Sequence, residues 1–289
     1  MNRLSVAIIF ITLSLLAVLF FFPVIVVLTN SFMGSFEIFT RYTHLVRPGN
    51  VLYTVNNRHF VRITISPSFA SLRQYISIVT DNSLYWRQFW NSIGLAVPIV
   101  LGQLLIAPLT AYVFEMGRMR YKEAVFFVYI VLMLMPLQVA LVPNFIMADR
   151  LGLIGSPWAI ILPGMVHPFG VFLMRQFLRG LTRDYIEAAQ LDGAGHVKII
   201  FLIVLPMFKP ALAALIMLTF IDNWNLVEQP LIFLETNVQE PLSVYLAQMA
   251  EANLDIVFAA SFLYLLPPVL LFLYWQEHMV EGIQLSGIR

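Results

Sequence analysis

The sequence predicts an all-α protein that crosses a membrane six times. Of its 289 residues, 60% are hydrophobic and 11% are charged, and the mean hydropathy is +0.83. Soluble globular domains carry about 25% charged residues, so this composition indicates an integral membrane protein. Apolar runs recur along the chain, and a helix needs about 20 such residues to span a bilayer.

Six candidate spans follow from these runs. They lie at residues 6–29, 90–114, 124–143, 157–178, about 208–232 and 257–276. Proline and glycine inside several of them are tolerated in membrane bundles, because neighbouring groups satisfy the freed backbone. The first run is too long for a signal-peptide core and lacks a small-residue cleavage site, so we interpret it as a retained helix.

Lysine and arginine set the expected orientation, since they accumulate in short cytoplasmic loops. One side of the six spans collects Arg3, Arg118, Arg120, Lys122, Arg175, Arg179, Arg183, Lys198, Lys209 and Arg289. The other side has Arg150 in a short loop and six arginines in the long loop 31–89, where the rule weakens. The pattern predicts cytoplasmic termini, including the tail 277–289. It divides the chain into a first helix (1–30), an extracytoplasmic loop or cap (31–89) and a core (90–289).

The loop 31–89 has predicted structure of its own. The segments on either side of Asn56 and Asn57 alternate apolar and polar residues, which predicts a β-hairpin. SFASLRQYISIV, residues 68–79, predicts an amphipathic helix at the outer surface. We interpret the loop first as a folded cap and second as a docking surface for an external partner.

Several kinds of chemistry are excluded or unsupported. The chain has no cysteine, which excludes disulfides, thiolate metal sites and cysteine nucleophiles. It has no GxxxxGK[ST] motif for nucleotide phosphates. No His, Asp or Glu residues show metal-ligand spacing, and no nucleophile has a neighbouring base. A net charge of +1 gives no sign of a nucleic-acid partner. We therefore predict no enzyme activity, catalytic residue, metal site or cofactor bound by this chain.

The start of the predicted fifth span follows from the depth at which Lys209 would lie in the membrane. A lysine near mid-membrane costs roughly 2.5–3.5 kcal/mol on insertion scales. If Pro206 and Pro210 break the chain, the span starts at about residue 208 and Lys209 lies at the interface. This placement brings the polar sequence DNWN, residues 222–225, into the membrane.

The stretch YIEAAQLDGAGHVKIIFLIVLP, residues 185–206, carries the most specific motif. Glu187-Ala188-Ala189, Gly193 four positions later, and then Ile203, Leu205 and Pro206 match the EAA–G–I–LP signature of ABC importer permeases. Other segments resemble the sugar-importer branch of maltose-transporter type. They are NSIGLAV, FLMRQFLRGLTRDYIEAAQLDGAG, LPMFKPALAAL, FIDNWNLVEQPLIFL and VEGIQLSGIR.

The resemblance implies that the loop at about 179–206 contains a coupling helix that docks on a separate ATPase. The residues expected to make this contact are Glu187, Ala188, Ala189, Asp192, Gly193 and Ala194. Small residues there let two backbones approach closely. The implied partners are a second permease subunit, an ATPase dimer that binds ATP and Mg²⁺, and an extracytoplasmic solute-binding protein. The implied location is the cell membrane of a bacterium or archaeon.

Candidate residues for the substrate path cluster around DNWN. They are Thr219, Asp222, Asn223, Trp224, Asn225, Glu228 and Gln229. On a continuous helix Thr219, Asp222, Asn225 and Gln229 would share a face. Polar residues inside a membrane indicate function, and planar amides with an aromatic ring suit sugars. Helix–helix contacts or an interfacial position are the alternative explanations. His167 and Gln138 are weaker candidates, for which packing and repair of a kinked helix are preferred.

The predicted function is therefore a permease subunit of an ABC importer for a sugar or oligosaccharide. An ABC permease for an amino acid, peptide or phosphate ester is the first alternative. An ion-coupled secondary transporter is the second, although inverted repeats of broken helices are not visible in the sequence. Neither the particular sugar nor its charge follows from the sequence.

Overall fold

The computed structural model describes residues 3–38, 42, 53–55, 58–60, 67–117, 119–180, 184–234, 238–252 and 254–286. These residues are almost all helical, which confirms the all-α class. The chain forms two compact units. One unit comprises Met1–Trp86 and Tyr245–Leu266, and the other comprises Arg87–Val244 and Pro267–Arg289. The predicted division into a first helix, a loop and a core stays a prediction.

The first unit begins with helix α1 (Arg3–Asn30), whose apolar window is exposed along its length. Strands β1 (Tyr53–Val55) and β2 (Arg58–Phe60) pair antiparallel, with Tyr53 opposite Phe60. This pairing confirms the predicted hairpin, although the rest of that hairpin lies outside the described residues. Helix α2 (Arg73–Thr80) confirms the amphipathic helix, which begins five residues later than predicted and buries Gln74 and Ile78.

The other helices follow in chain order and include all those of the second unit. They are α3 (Ser83–Met116), α4 (Lys122–Met133), α5 (Leu137–Arg150), α6 (Trp158–Met165), α7 (Pro168–Gly180), α8 (Asp184–Leu191), α9 (His196–Met207), α10 (Lys209–Trp224), α11 (Glu228–Phe233), α12 (Leu242–Ala252) and α13 (Leu254–Ser286). Within α9, Ile200–Val204 form a π-helical turn. Helix α13 continues through most of the predicted tail.

The predicted six spans correspond to four helices and two bent pairs. Segments Ser5–Asn30, Ser83–Met116, Trp158–Arg179 and Ile256–Glu277 are each long and apolar enough to cross a membrane. The pairs α4–α5 and α9–α10 give six spans if each pair counts as one. The chain is therefore built as a multi-pass membrane protein.

The predicted span over 124–143 is sharply bent at Pro136. Helices α4 and α5 meet at an angle of 103°, and Pro136 stands between them with φ −57° and ψ 139°. Proline offers no N–H to the preceding turn and disfavours helical backbone before it. Proline is tolerated elsewhere in the chain, as Pro98 and Pro108 inside α3 show.

The fifth span starts where predicted but ends earlier. Helices α9 and α10 meet at 78° around Phe208, and α10 begins at Lys209. The predicted helix to residue 232 is wrong, because α10 ends at Trp224. The side-chain amides of Asn223 and Asn225 donate to the main-chain carbonyls of Thr219 and Ile221, at 2.7 and 2.8 Å. Such bonds compete with the backbone ladder and favour a helix end.

Two buried clusters hold the second unit together. The larger cluster joins α3, α4, α7, α8, α9 and α10 around Tyr112, Met174 and Ile199. The smaller one packs α3, α5 and α6 against α11 around Ile99, Ile160 and Phe233. The EAA signature contributes to the larger cluster, so its helix is fixed to the spans by apolar packing.

Candidate functional site

Helix α8 presents two different faces. Ile186 and Ala189 are buried in the larger core cluster, whereas Glu187 and Ala188 are exposed. Leu191 is 89% exposed at the end of the same helix. The buried face anchors the helix, and the outer face offers a carboxylate, a methyl group and an isobutyl group to another surface.

Gly193 ends the signature helix through its backbone conformation. Its φ is +81°, and its N–H donates to the carbonyl of Gln190 at 3.0 Å. The N–H of Ala194 donates to the carbonyl of Ala189 at 2.9 Å. These two bonds form a Schellman motif, in which a residue with positive φ follows the helix and satisfies its last carbonyls. The spacing from Ala189 to Gly193 therefore has a geometric cause.

The predicted coupling residues share one loop surface. Glu187, Ala188, Asp192 and Gly193 are exposed and Ala194 is partly exposed, whereas Ala189 is buried. A groove of about 1170 Å³ lies beside this surface. Its walls come from the end of α3, the segment that follows it, and the signature loop; they include Tyr112, Glu115, Lys122, Glu187, Gln190, Gly193 and His196.

Two polar links tie the signature loop region to the spans, and sequence reasoning missed both. The Tyr112 hydroxyl on α3 lies 3.0 Å from Nδ1 of His196, the first residue of α9. On α7, Arg175 is fully buried and reaches Glu115 Oε2 at 3.3 Å and Glu123 Oε1 at 2.5 Å. Its guanidinium carbon also lies 4.0 Å from the centre of the Phe126 ring.

The exposed Arg179 extends this cluster. It lies 3.5 Å from Glu115 and 3.4 Å from Glu123. The sequence contained a signal, because Arg175 and Arg179 are four residues apart and therefore share a helix face. They had been used only to predict orientation. The ion pairs join α7, which leads into the signature loop, to α3 and α4.

A second feature of this unit is a cavity of about 690 Å³ where the helices are broken. It lies among the α4–α5 bend, the α6–α7 junction and the end of α10. Its polar lining residues are Gln103, Asn144, His167, Thr219, Asp222, Asn223, Asn225 and Gln229. Phe169 supplies an aromatic ring to the wall.

Five of the seven predicted path residues line this cavity. Thr219, Asp222, Asn223, Asn225 and Gln229 do so although the continuous helix expected to align them does not exist. The turn after α10 replaces that helix and keeps Asn225 and Gln229 on the cavity wall. His167, for which packing was preferred, also lines the cavity.

Trp224 and Glu228 are not among the described cavity-lining residues. Trp224 is fully buried, stacks on Phe220 with ring centres 5.4 Å apart, and meets Phe89 edge-on at 5.7 Å. The two carboxylate oxygens of Glu228 accept hydrogen bonds from the amide nitrogen of Gln138, each at 3.1 Å. Trp224 therefore holds the end of α10 in place, and Gln138 connects α5 to α11.

Gln103 is the polar residue of the cavity that sequence reasoning did not select. It is buried on α3, and its amide nitrogen donates to the carbonyls of Gly164 and His167, at 2.9 and 3.2 Å. These bonds satisfy the backbone at the α6–α7 junction. A Cβ at Gly170 would lie 1.9 Å from Gln103 Oε1, so a larger residue there would displace the Gln103 side chain. A glutamine inside an apolar span was the available signal.

No group of three or more His, Asp or Glu residues that could hold a metal ion occurs among the described residues. The polar groups of the cavity are amides, a hydroxyl, an imidazole and one carboxylate. They are suited to hydrogen bonding with a polar solute inside an otherwise apolar bundle.

Comparison with known proteins agrees with this arrangement. Residues 103–284 match the family described as "Binding-protein-dependent transport system inner membrane component". The chain is 29% identical over 262 residues to the arabinooligosaccharides transport system permease protein AraQ of Halalkalibacterium halodurans, covering 90% of this chain and 92% of that one. It is 30% identical over 209 residues to the sn-glycerol-3-phosphate transport system permease protein UgpE of Escherichia coli O1:K1 / APEC, covering 71% and 74%.

A solved structure has the same fold. A chain of a bacterial ABC transporter involved in the import of the acidic polysaccharide alginate superimposes with a TM-score of 0.76 at 22% identity, covering 95% of this chain and 96% of that one. The broken spans and signature loop thus define a transport permease. The chain belongs to the family of inner membrane components of binding-protein-dependent transport systems, whose members transport solutes and are not enzymes.

Proposed function

We propose that this chain is the permease subunit of an ATP-driven ABC importer that carries a sugar or oligosaccharide into the cytoplasm. The observation that carries the proposal is the 690 Å³ cavity, which gathers amides, a hydroxyl and an aromatic ring at the α4–α5 bend, the α6–α7 junction and the end of α10. Irregular backbone at membrane depth is tolerated where it is enclosed by protein or lines a water-filled path. AraQ, named for arabinooligosaccharides, supports this cargo class.

Energy enters through the signature loop in this proposal. Helix α8 is anchored by Ile186 and Ala189 and exposes Glu187, Ala188 and Leu191, which form the surface for the ATPase. The neighbouring ion cluster and the Tyr112–His196 contact transmit movement of this loop to α3, α4 and α7. ATP and Mg²⁺ bind to the partner ATPase, and this chain holds no cofactor.

The proposed assembly contains four kinds of subunit. The family depends on a solute-binding protein; a second permease subunit and an ATPase dimer complete the importer. The exposed apolar window of α1 supports a contact with lipid or with the second permease. Both termini are placed in the cytoplasm, as are the signature loop and the basic residues Arg175, Arg179 and Lys198.

An importer for another polar solute is the second candidate. UgpE, a relative at 30% identity, is named for sn-glycerol-3-phosphate. The amides and the hydroxyl of the cavity are able to hydrogen-bond a small polar solute as well as a sugar, so uptake of the two kinds of solute distinguishes the candidates.

The proposal is tested by isolating the assembly and reconstituting it. The chain is purified from its own cells in mild detergent, and co-purifying proteins are identified by mass spectrometry. We expect an ATPase with a Walker motif, a second EAA-bearing permease and a solute-binding protein. In proteoliposomes, uptake of labelled oligosaccharides should require Mg-ATP on the ATPase side and should persist with a protonophore. Recovery of the chain alone, or uptake abolished by the protonophore at constant ATP, would contradict the proposal.

A further inference from the structure

The charged side chains of the cavity wall differ from those expected of a site that binds an anionic cargo. Asp222 is the one acidic side chain among the described lining residues, and none of them is lysine or arginine. His167 lies on the same wall. A cavity that binds a carboxylate or phosphate ordinarily supplies arginine or lysine.

The carboxylate of Asp222 is available to a ligand. Its side chain is exposed on the last turn of α10, and no described residue donates a hydrogen bond to it. A carboxylate only accepts hydrogen bonds. It can therefore pair with a hydroxyl of the cargo, whereas a second anion would meet electrostatic repulsion.

The hydrogen bonds of three neighbouring amides show which of their groups are already used. The amide nitrogens of Asn223 and Asn225 each donate to a main-chain carbonyl of α10. The amide nitrogen of Gln103 makes two such bonds, while its buried Oε1 has no hydrogen-bond partner among the described residues. The wall therefore includes the acceptors Asp222 and Gln103 Oε1, which can accept hydrogen bonds from the hydroxyl groups of a saccharide.

We propose that Asp222 makes this cavity select uncharged, hydroxyl-rich saccharides over sugars that carry a carboxylate or phosphate. The inference rests on the proposed importer function and narrows its cargo class. It also sets the chain apart from UgpE, which is named for a phosphate ester, and from the permease chain of the alginate transporter, which imports an acidic polysaccharide.

The test measures binding of neutral and acidic sugars to the same cavity. The purified importer without its binding protein and without nucleotide is titrated with arabinotriose, maltotriose and trigalacturonate. Omitting the binding protein removes its own selectivity from the result. We expect at least one neutral trisaccharide to bind about tenfold or more tightly than trigalacturonate, because like charges a few ångströms apart repel in a partly buried site.

Substitutions then assign the effect to one side chain. Asp222→Asn is nearly isosteric and should reduce the neutral-to-acidic affinity ratio by about tenfold, mainly by improving trigalacturonate binding. Asp222→Ser provides a second neutral replacement. Glu228→Gln is the matched control, since it removes a carboxylate bound to Gln138 and should leave the ratio unchanged.

Three outcomes would overturn the inference. The wild-type assembly could bind trigalacturonate as tightly as the neutral sugars, or both Asp222 variants could retain the wild-type ratio. In either case ATP-driven uptake of saccharides would leave the proposed importer function intact. If no sugar binds and none is taken up, the importer function for sugars fails together with the inference.

Discussion

The Tyr112 hydroxyl lies 3.0 Å from Nδ1 of His196, and their rings meet edge-on with centres 6.0 Å apart. The contact joins the end of α3 to the first residue of α9, three positions after the glycine that ends the signature helix. It is a direct polar link between the signature loop and a membrane-spanning helix. If the loop receives force from an ATPase, this pair lies on the way into the spans.

Tyr112→Phe should weaken that link while keeping the ring. A typical hydrogen bond contributes about 0.5–1.5 kcal/mol, so we expect transport per ATP hydrolysed to fall several-fold with little change in the amount of inserted protein. Uptake and binding-protein-stimulated ATPase activity are measured in proteoliposomes. Tyr129→Phe is the control, because Tyr129 packs by its ring against Phe114. Equal effects of the two substitutions would contradict a specific role for the Tyr112–His196 contact.

Gly193→Ala should impair the signature loop by backbone strain alone. A Cβ there would meet no heavy atom within 4 Å, but the φ of +81° costs an L-residue about 1–2 kcal/mol. We expect a lower Tm and reduced uptake. Gly195→Ala is the matched control, because Gly195 also has open space but a φ of −72°. A Tm for Gly193→Ala equal to that of the control would show that the positive φ is not needed.

Glu187→Lys tests the proposed ATPase contact. Glu187 is exposed, so its replacement should leave folding and insertion unchanged while reversing the charge offered to the partner. We expect loss of ATPase co-purification and a large loss of ATP-driven uptake. Glu187→Gln keeps the size and removes the charge, and it should give an intermediate effect. Normal uptake by the lysine variant would place the coupling contact elsewhere on the loop.

Trp224→Ala and Asn225→Ala should have different effects although the residues are adjacent. Trp224 is enclosed by Phe220 and Phe89, and truncating a buried tryptophan costs about 3–5 kcal/mol. Its replacement should therefore lower Tm and yield. Asn225 lines the cavity, so its replacement should raise the KM for sugar while Tm changes little. The comparison requires thermal unfolding and uptake kinetics on both variants. A changed KM with normal stability for Trp224→Ala would contradict the packing role.

The sequence predicted the features that depend on local composition or on a spaced motif. The four candidate spans and two bent pairs, the hairpin, the start of α10 and the exposed signature helix all follow from apolar runs, turns and proline positions. The helix breaks at Pro136 and after Trp224 did not follow from the sequence. Proline is tolerated at some positions inside membrane helices. An asparagine side chain ends a helix only where a main-chain carbonyl is free to accept its hydrogen bond. Five of the predicted substrate-path residues line the cavity, although the helix expected to align them ends at Trp224; their role in transport stays a prediction.

The features that were missed depend on contacts between distant segments. Gln103 reaches the α6–α7 junction, and Arg175 reaches carboxylates on two other helices, more than 50 residues away in sequence. The periodicity of apolar residues shows which face of a helix is apolar. It does not show which other helix packs against that face. Arg175 also shows that a basic residue used to predict orientation can be fully buried.

Arg175→Ala should be the most destabilising of the charge-removing substitutions. Arg175 is buried between Glu115 and Glu123 and lies over the Phe126 ring, and Glu115 is itself 12% exposed. Removing Arg175 takes a buried cation from the largely buried Glu115 and removes its contact with the Phe126 ring, whereas Arg179 still reaches both carboxylates, so we expect a clear fall in Tm. Arg175→Lys should recover only part of this loss, because lysine lacks the planar fork that contacts two carboxylates and stacks on a ring.

Arg179→Ala is the control, since Arg179 is half exposed and surface pairs contribute about 0–1 kcal/mol. Thermal unfolding of the purified assembly gives the ranking, and equal Tm values for the two alanine variants would show that the buried arginine does not hold α7 against α3 and α4.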